Sequence, residues 1–337
     1  MEATDQIAQE CLAVRKNCVL FDHPNRGVIE VRGQDRIQFL HNVLSNDIKS
    51  LSPGNGAPAC LLNAQAKIIA NMNVLCFDEF LWLALDYILK DKLSDALGKL
   101  IIMEQVELTD RSDELKLISV HGPKAKELIQ NALKEKSILE KLLDHKTFTV
   151  DNTSATVIRI NLIGEVGYGL LIPKDRTDLV YSALKQSGKP LGLIQIQAST
   201  LEVLRIEAGI PRYGIDFDDS HIPLEAGLEK TISFTKGCFP GQEILARLDS
   251  RGGVSKKLIG LELKGEIAPK KGDQITKDNN EVGSITSAVF SPTLKRVVAM
   301  GYLKKECWAV GSPIVVESQK MRVPARVADL PFYSANP

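Results

Sequence analysis

The sequence predicts an α+β protein: two related halves followed by a C-terminal antiparallel β unit, a small barrel or sandwich. Three observations carry this expectation. A strand–glycine–helix segment occurs twice at a fixed offset. Around both copies, apolar residues alternate between strand spacing and helix spacing. From Lys257 onward, β-branched residues lie between turn signals that recur about every ten residues.

The first copy is VIEVRGQDRIQFLHNVL, Val28 to Leu44. Val28, Ile29 and Val31 have strand character, and Gly33 turns the chain. Ile37, Leu40 and Leu44 then recur at helical spacing and share one face. LSPGNG, Leu51 to Gly56, reads as a loop. In IIANMNVLCF, positions 68, 70, 72, 74 and 76 are apolar, while Asn71 and Asn73 fall on the opposite face, toward either solvent or a pocket in which Asn71 is a candidate ligand-binding residue. FLWLALD continues this meander after a turn at Asp78-Glu79.

The second copy is LISVHGPKAKELIQNAL, Leu117 to Leu133. Shifted by 89 positions, Ile29 matches Ile118, Val31 matches Val120 and Gly33 matches Gly122; Leu40, Asn42 and Leu44 fall on Ile129, Asn131 and Leu133. Any strand–turn–helix unit gives some such matches; the sharper reading is an internal structural repeat. TVIRINLI reads as a strand and DRTDLVYSALKQ as a helix. STLEVLRIEAG reads as a helix capped by Ser199 and Gly209. The character changes near Gly252-Gly253, dividing the chain into 1–252 and 253–337.

Lys+Arg and Asp+Glu both total 42, so bulk charge gives no reason to expect direct nucleic-acid binding. No apolar run approaches the ~20 residues of a membrane span. MEATDQIAQECLAVRKN has the bias of neither a signal peptide nor a transit peptide. The six cysteines form no CxxC pair, and the five histidines are dispersed. No permanent metal is expected, and the thiols suggest a reducing, cytoplasmic setting.

No P-loop, dinucleotide fingerprint, HExxH or GxSxG occurs. Two places carry candidate chemistry. In KGCFPGQEILAR, a Pro240-Gly241 turn and a helix start follow Cys238. A free cysteine is usually a small buried hydrophobe, but a helix N-terminus, with Lys236 and Arg247, favours thiolate. Gly237 allows close approach to a ligand. In GEVGYG, Glu165 is either a solvated turn residue or an acceptor for an amino group and ring N–H of a heterocycle, with Tyr168 as a stacking face. Arg205 and Glu207 are expected either to pair with each other or to serve a ligand.

KGCFPGQE, Lys236 to Glu243, resembles the signature K-G-C-[FY]-x-G-Q-E of the YgfZ family, carried by Lys236, Gly237, Cys238, Gly241, Gln242 and Glu243. VRGQDRIQFLHNVLSND, IGEVGYGLLIP, LRIEAGIPRYGIDFDDSHIPLEAGLE and ITSAVFSPTLKRVVAMGYL are similar, in order, to segments of the wider folate-binding superfamily that includes the glycine-cleavage aminomethyltransferase (T-protein, GcvT). The resemblance implies a GcvT-like fold of two intertwined α+β subdomains plus a C-terminal antiparallel β-barrel. It implies tetrahydrofolate or a folate derivative as ligand, with Glu165 as the pteridine-binding carboxylate. It further implies an accessory role in assembling or repairing iron–sulfur clusters, including those of tRNA-modifying enzymes. Cys238 would then be the key thiol, and iron–sulfur assembly factors or client enzymes the partners. Where aminomethyltransferases of the superfamily usually carry Asp-Asp, this chain has Ala70 and Asn71, and Leu201 stands where they often have arginine. Two alternatives remain: a folate-dependent aminomethyltransferase of T-protein type, and a ligand-free interaction protein on the same fold.

Overall fold

Helix α1 (Glu2–Lys16) and strand β1 (Val19–His23) lead into a βαβββαβ unit. That unit comprises β2 (Arg26–Arg32), α2 (Arg36–Val43), β3 (Gly56–Leu62), β4 (Ile68–Cys76), β5 (Leu81–Asp86), α3 (Lys90–Gly98) and β6 (Glu107–Asp110). The same order then repeats: β7 (Leu115–His121), α4 (Ala125–Leu133), β8 (His145–Val150), β9 (Thr153–Ile160), β10 (Gly167–Pro173), α5 (Thr177–Gly188) and β11 (Ile194–Gln195). This computed structural model describes residues 2–24, 26–150, 152–318 and 321–335.

The two sheets run β3-β4-β5-β2-β6 and β8-β9-β10-β7-β1-β11. They correspond strand for strand, except that β1 is inserted beside β7, antiparallel to it and parallel to β11. The chain thus begins in the second sheet, builds the first, and returns, so the halves are intertwined. The offset of 89 seen in the sequence holds for both ends of β2 and β7 and for the first residues of α2 and α4. Gly33 and Gly122 sit at φ +106° and +116°, and a Cβ there would meet the Gln105 carbonyl oxygen at 1.9 Å or the Asn17 carbonyl oxygen at 2.5 Å. Both the dihedral and the backbone approach demand glycine.

Strand parity decides which side chains face which layer. Ile29, Val31, Ala70 and Met72 pack under α2 and α3, and Ile118, Val120, Val157 and Leu170 under α4 and α5. The opposite faces meet each other through Val28, Leu75, Ile158, Ile160 and Leu171. Two helix-covered sheets therefore stack face to face.

Helix α6 (Ala198–Glu207) follows. Its N-terminus is capped by no local side chain; Ser199 does not cap it. Glu10 of α1 instead accepts the Gln197 N–H (3.0 Å) and the Thr200 hydroxyl, placing a carboxylate at the positive end of the helix. After α7 (Gln242–Ser250), strands β12 (Lys256–Leu263), β13 (Gln274–Lys277), β14 (Asn280–Ser291), β15 (Arg296–Lys304), β16 (Pro313–Ser318) and β17 (Met321–Ala328) close into a barrel. The turn-rich C-terminal sequence is thus a barrel, not a sandwich. It docks on α6 through Ile206 against Leu258, Val298, Met300 and Tyr302. Among the described residues, no helix is long and apolar enough to cross a membrane.

Candidate functional site

The turn between β9 and β10 carries Glu165. Asn161 holds it by accepting the Gly164 N–H at 2.8 Å. The turn projects Glu165 against the end of α6, the end of α1 and the C-terminal tail. Glu165 is buried, and so is Glu207. One guanidinium bridges them: Arg15 Nη1 lies 2.8 Å from Glu165 Oε1, and Nη2 lies 2.5 Å from Glu207 Oε2. Glu207 also accepts hydroxyl hydrogen bonds from Ser291 (2.5 Å) and Thr293 (3.0 Å). The Tyr333 ring lies 3.5 Å from the Arg15 guanidinium carbon, and its hydroxyl donates to Glu165 Oε1 at 3.1 Å. Burial and the Glu165 charge both push the Tyr333 hydroxyl pKa up. The tail is tied down by its backbone, with Tyr333 N–H donating to the Glu207 carbonyl at 2.9 Å.

Two candidates from the sequence, Tyr168 and Arg205, lie elsewhere. Tyr168 is 1% exposed and sits in the core under α4 and α5, its hydroxyl donating to the Leu139 carbonyl at 3.2 Å. Glu165 is in a turn and Tyr168 on a strand, so the parity of β10 turns the ring away from the carboxylate. Arg205 and Glu207 do not pair with each other. Arg205 spends its guanidinium on Glu202, Asp216 (2.8 Å), the Ile210 carbonyl (3.0 Å) and the Ser287 hydroxyl (2.9 Å). Asp216 in turn accepts the Thr286 and Ser287 hydroxyls of β14 (2.7 and 2.6 Å). Arg205 thus fastens α6 to the barrel.

Asn71 and Asn73 lie on the face of β4 that looks toward the second sheet. A cavity of about 50 Å³ opens between the sheets, lined by Asn73, Arg26, Leu117, Ile160 and Leu162 among others. Leu162 is three residues before Glu165. Asn71 Oδ1 is buried with no hydrogen-bond partner, as is His121 Nδ1 on β7. The other His121 nitrogen and His23 both hydrogen-bond the Ser119 hydroxyl (3.0 and 2.7 Å). Burial drives the His121 pKa down to about 3, and that of His23 also falls. Both rings are therefore neutral.

Several residues of the KGCFPGQE segment hold the fold together. Lys236 is buried, and its ammonium donates to the carbonyls of His41 and Leu44 (2.5 Å to the latter) at the C-terminus of α2. Burial brings its pKa down to about 8. Phe239 joins the core beneath β3. Gly241, at φ +80°, lies so close to the β3–β4 turn that a Cβ would meet Ala66 Cα at 2.6 Å. Nothing stands within 4 Å of a Cβ built at Gly237. Gln242 and Glu243 open α7. Cys238 is exposed, while the other five cysteines are buried. Among the described residues, no group of three or more His, Cys, Asp or Glu is arranged to hold a metal.

Arg15, Tyr333 and Glu10 were not singled out in the sequence. No periodicity or motif marks them, because their partners lie 150 to 192 positions away.

A double βαβββαβ body, closed by a barrel that helps to bury a pair of carboxylates, defines a class of protein before any relative is considered. Residues 1–236 match the GCVT N-terminal domain, and residues 256–334 match the Glycine cleavage T-protein C-terminal barrel domain. The chain belongs to this glycine cleavage T-protein family. It is 29% identical to an aminomethyltransferase of Halothermothrix orenii, covering 97% of this chain and 91% of that protein. It is 30% identical to an aminomethyltransferase of Symbiobacterium thermophilum, covering 97% and 89%. The glycine cleavage system aminomethyltransferase T from Bartonella henselae has the same fold, with a TM-score of 0.88 at 21% identity over 97% of this chain and 89% of that one. These findings overturn the YgfZ-type identification and the iron–sulfur role drawn from it. Aminomethyltransferases match over nearly the whole chain, whereas the signature rested on eight residues.

Proposed function

We propose that this protein is a tetrahydrofolate-dependent aminomethyltransferase of the glycine-cleavage T-protein type. The observation that carries this reading is the match to aminomethyltransferases over nearly the full length of both chains. Aminomethyltransferases of this family use tetrahydrofolate, which supplies the nitrogens that receive the one-carbon unit.

The chemistry of the residues fits that ligand. A pteridine presents an amino group and a ring N–H along one edge. Glu165 offers a buried carboxylate suited to that edge, and charge-assisted bonds of this kind are the strong ones. Glu207 adds a second acceptor and Tyr333 a stacking face. Asn71 offers a buried oxygen without a partner, which favours an N–H donor because an unpaired buried acceptor is costly. As a neutral amide, Asn71 can orient a donor but cannot take up a proton as a carboxylate does. The reading assigns no step to Cys238 or Lys236. The amine donor would come from partner proteins of the glycine cleavage system, and the free thiols suit a cytoplasmic setting.

The test is a transfer assay with the full-length protein, tetrahydrofolate and an aminomethylated carrier protein. Catalysed formation of methylene-tetrahydrofolate is expected. Tight folate binding with no transfer would overturn the transferase assignment.

A further inference from the structure

We infer that the Glu165–Glu207–Tyr333 clasp is a recognition site for a planar N–H edge, and that Arg15 occupies it in competition with the ligand. The inference rests on the folate reading for its ligand and on the geometry for its occupant.

A guanidinium and a 2-amino-4-oxopyrimidine share a shape. Both are flat, both present adjacent N–H donors in one plane, and both offer a face for stacking. Arg15 uses all three features: two Nη donors on two carboxylates, and its face against Tyr333. The carboxylate that the folate reading assigns to the pteridine is therefore engaged by a side chain of similar form.

Two further observations favour displacement over a permanent clamp. The Arg15 side chain is nine-tenths buried, yet its Nε is left without a partner, so the guanidinium fits the site incompletely. Two buried carboxylates also face one guanidinium, and their other side-chain donors among the described residues are the hydroxyls of Ser291, Thr293 and Tyr333. The clasp joins the end of α1 to the C-terminal tail, so a ligand that evicts Arg15 would also loosen residues 333–335. Ala335 N–H, bonded to the Gly164 carbonyl at 3.0 Å, marks how far the tail is held.

Two experiments test this. In the first, Arg15→Ala is melted with added ethylguanidinium or ethylammonium. Ethylguanidinium should raise its melting temperature selectively, with no such effect on wild type. Equal effects of the two cations, or none, would overturn recognition of a planar edge without reference to folate. In the second, tetrahydrofolate is titrated into wild type, Arg15→Lys and Glu165→Ala, each checked for folding by circular dichroism. Arg15→Lys keeps the charge but cannot bridge both carboxylates, and its Kd should fall about fivefold to tenfold. An unchanged or higher Kd in Arg15→Lys, with binding weakened in Glu165→Ala, would overturn the competition and leave the folate reading standing. Unweakened binding in Glu165→Ala would instead remove the folate assignment, and the ethylguanidinium result would then decide the clasp alone.

Discussion

The turn from β4 to β5 and the turn from β9 to β10 occupy equivalent places in the two repeats, yet they do opposite things. The first spans residues 77–80 and closes on itself: Phe77 N–H donates to the Phe80 carbonyl at 2.9 Å, and the two rings stack 4.5 Å apart. Trp82 and His145 pack on Phe77. The second spans residues 161–166 and reaches outward to α1, α6 and the C-terminal tail. The scaffold is the same; the longer turn is where the carboxylate enters. To the space between the sheets the first repeat contributes the amides of Asn71 and Asn73 together with Arg26. A rigid repeated frame with chemistry placed in one variant loop is a common division of labour.

The frame itself gives the largest expected effect. Gly33→Ala and Gly122→Ala should each cost about 3 kcal/mol or more, since both combine a dihedral closed to L side chains with a backbone collision. Gly33→Ala should be the worse, because its Cβ would meet a carbonyl oxygen at 1.9 Å, against 2.5 Å at Gly122. Urea unfolding of both variants checks this. Equal and small losses would mean that the two turns are not constrained alike.

The amides come next. Asn71→Asp puts a proton acceptor at a position where the first repeat has a neutral amide. On the transferase reading, kcat should rise about 100-fold, at the lower end of what a positioned acid or base contributes. Unchanged kcat with intact folate binding would show that the amide is not what limits transfer. The turns supply the third comparison. Glu165→Ala should weaken tetrahydrofolate binding by about 2–3 kcal/mol, and Glu79→Ala in the equivalent turn should leave it unaltered. Similar effects from both would abolish the distinction between the repeats.

The repeat was legible because strand and helix spacing, and a glycine at a fixed offset, are local properties. The meander around Asn71 followed from alternation alone, and the barrel from turn spacing, although closure was not decided by it. The clasp was not legible. Arg15, Glu165, Glu207 and Tyr333 come from four distant segments, and only the intertwining of the sheets and the docking of the barrel bring them together. Tyr168 failed for a related reason: three positions along the chain says nothing about direction until strand parity is known. Cys238 drew attention through its glycines, whereas Gly241 is needed to pass the β3–β4 turn, and the neighbouring lysine serves a helix.

That lysine gives the most specific contrast. Helix α4 ends by itself, with Lys134 in the left-handed region at φ 58° and Glu135 N–H donating to the Gln130 carbonyl. Helix α2 borrows its cap from Lys236, almost two hundred residues on. Burial brings the Lys236 pKa from its usual 10.5 to about 8, so the unfolded chain holds this proton more tightly than the native protein. Between about pH 8 and pH 10.5 the unfolded state holds more of this proton, so the contribution of Lys236 to stability rises with pH. Below pH 8 both states hold the proton, and this contribution is flat. Lys236→Met should lose the rise, while Lys134→Gly should keep it and gain up to about 1 kcal/mol by relieving the left-handed residue. Urea midpoints measured across that interval read both effects. If wild type and Lys236→Met give parallel curves, the ammonium is not desolvated at the end of α2, and the two helices are capped on equal terms.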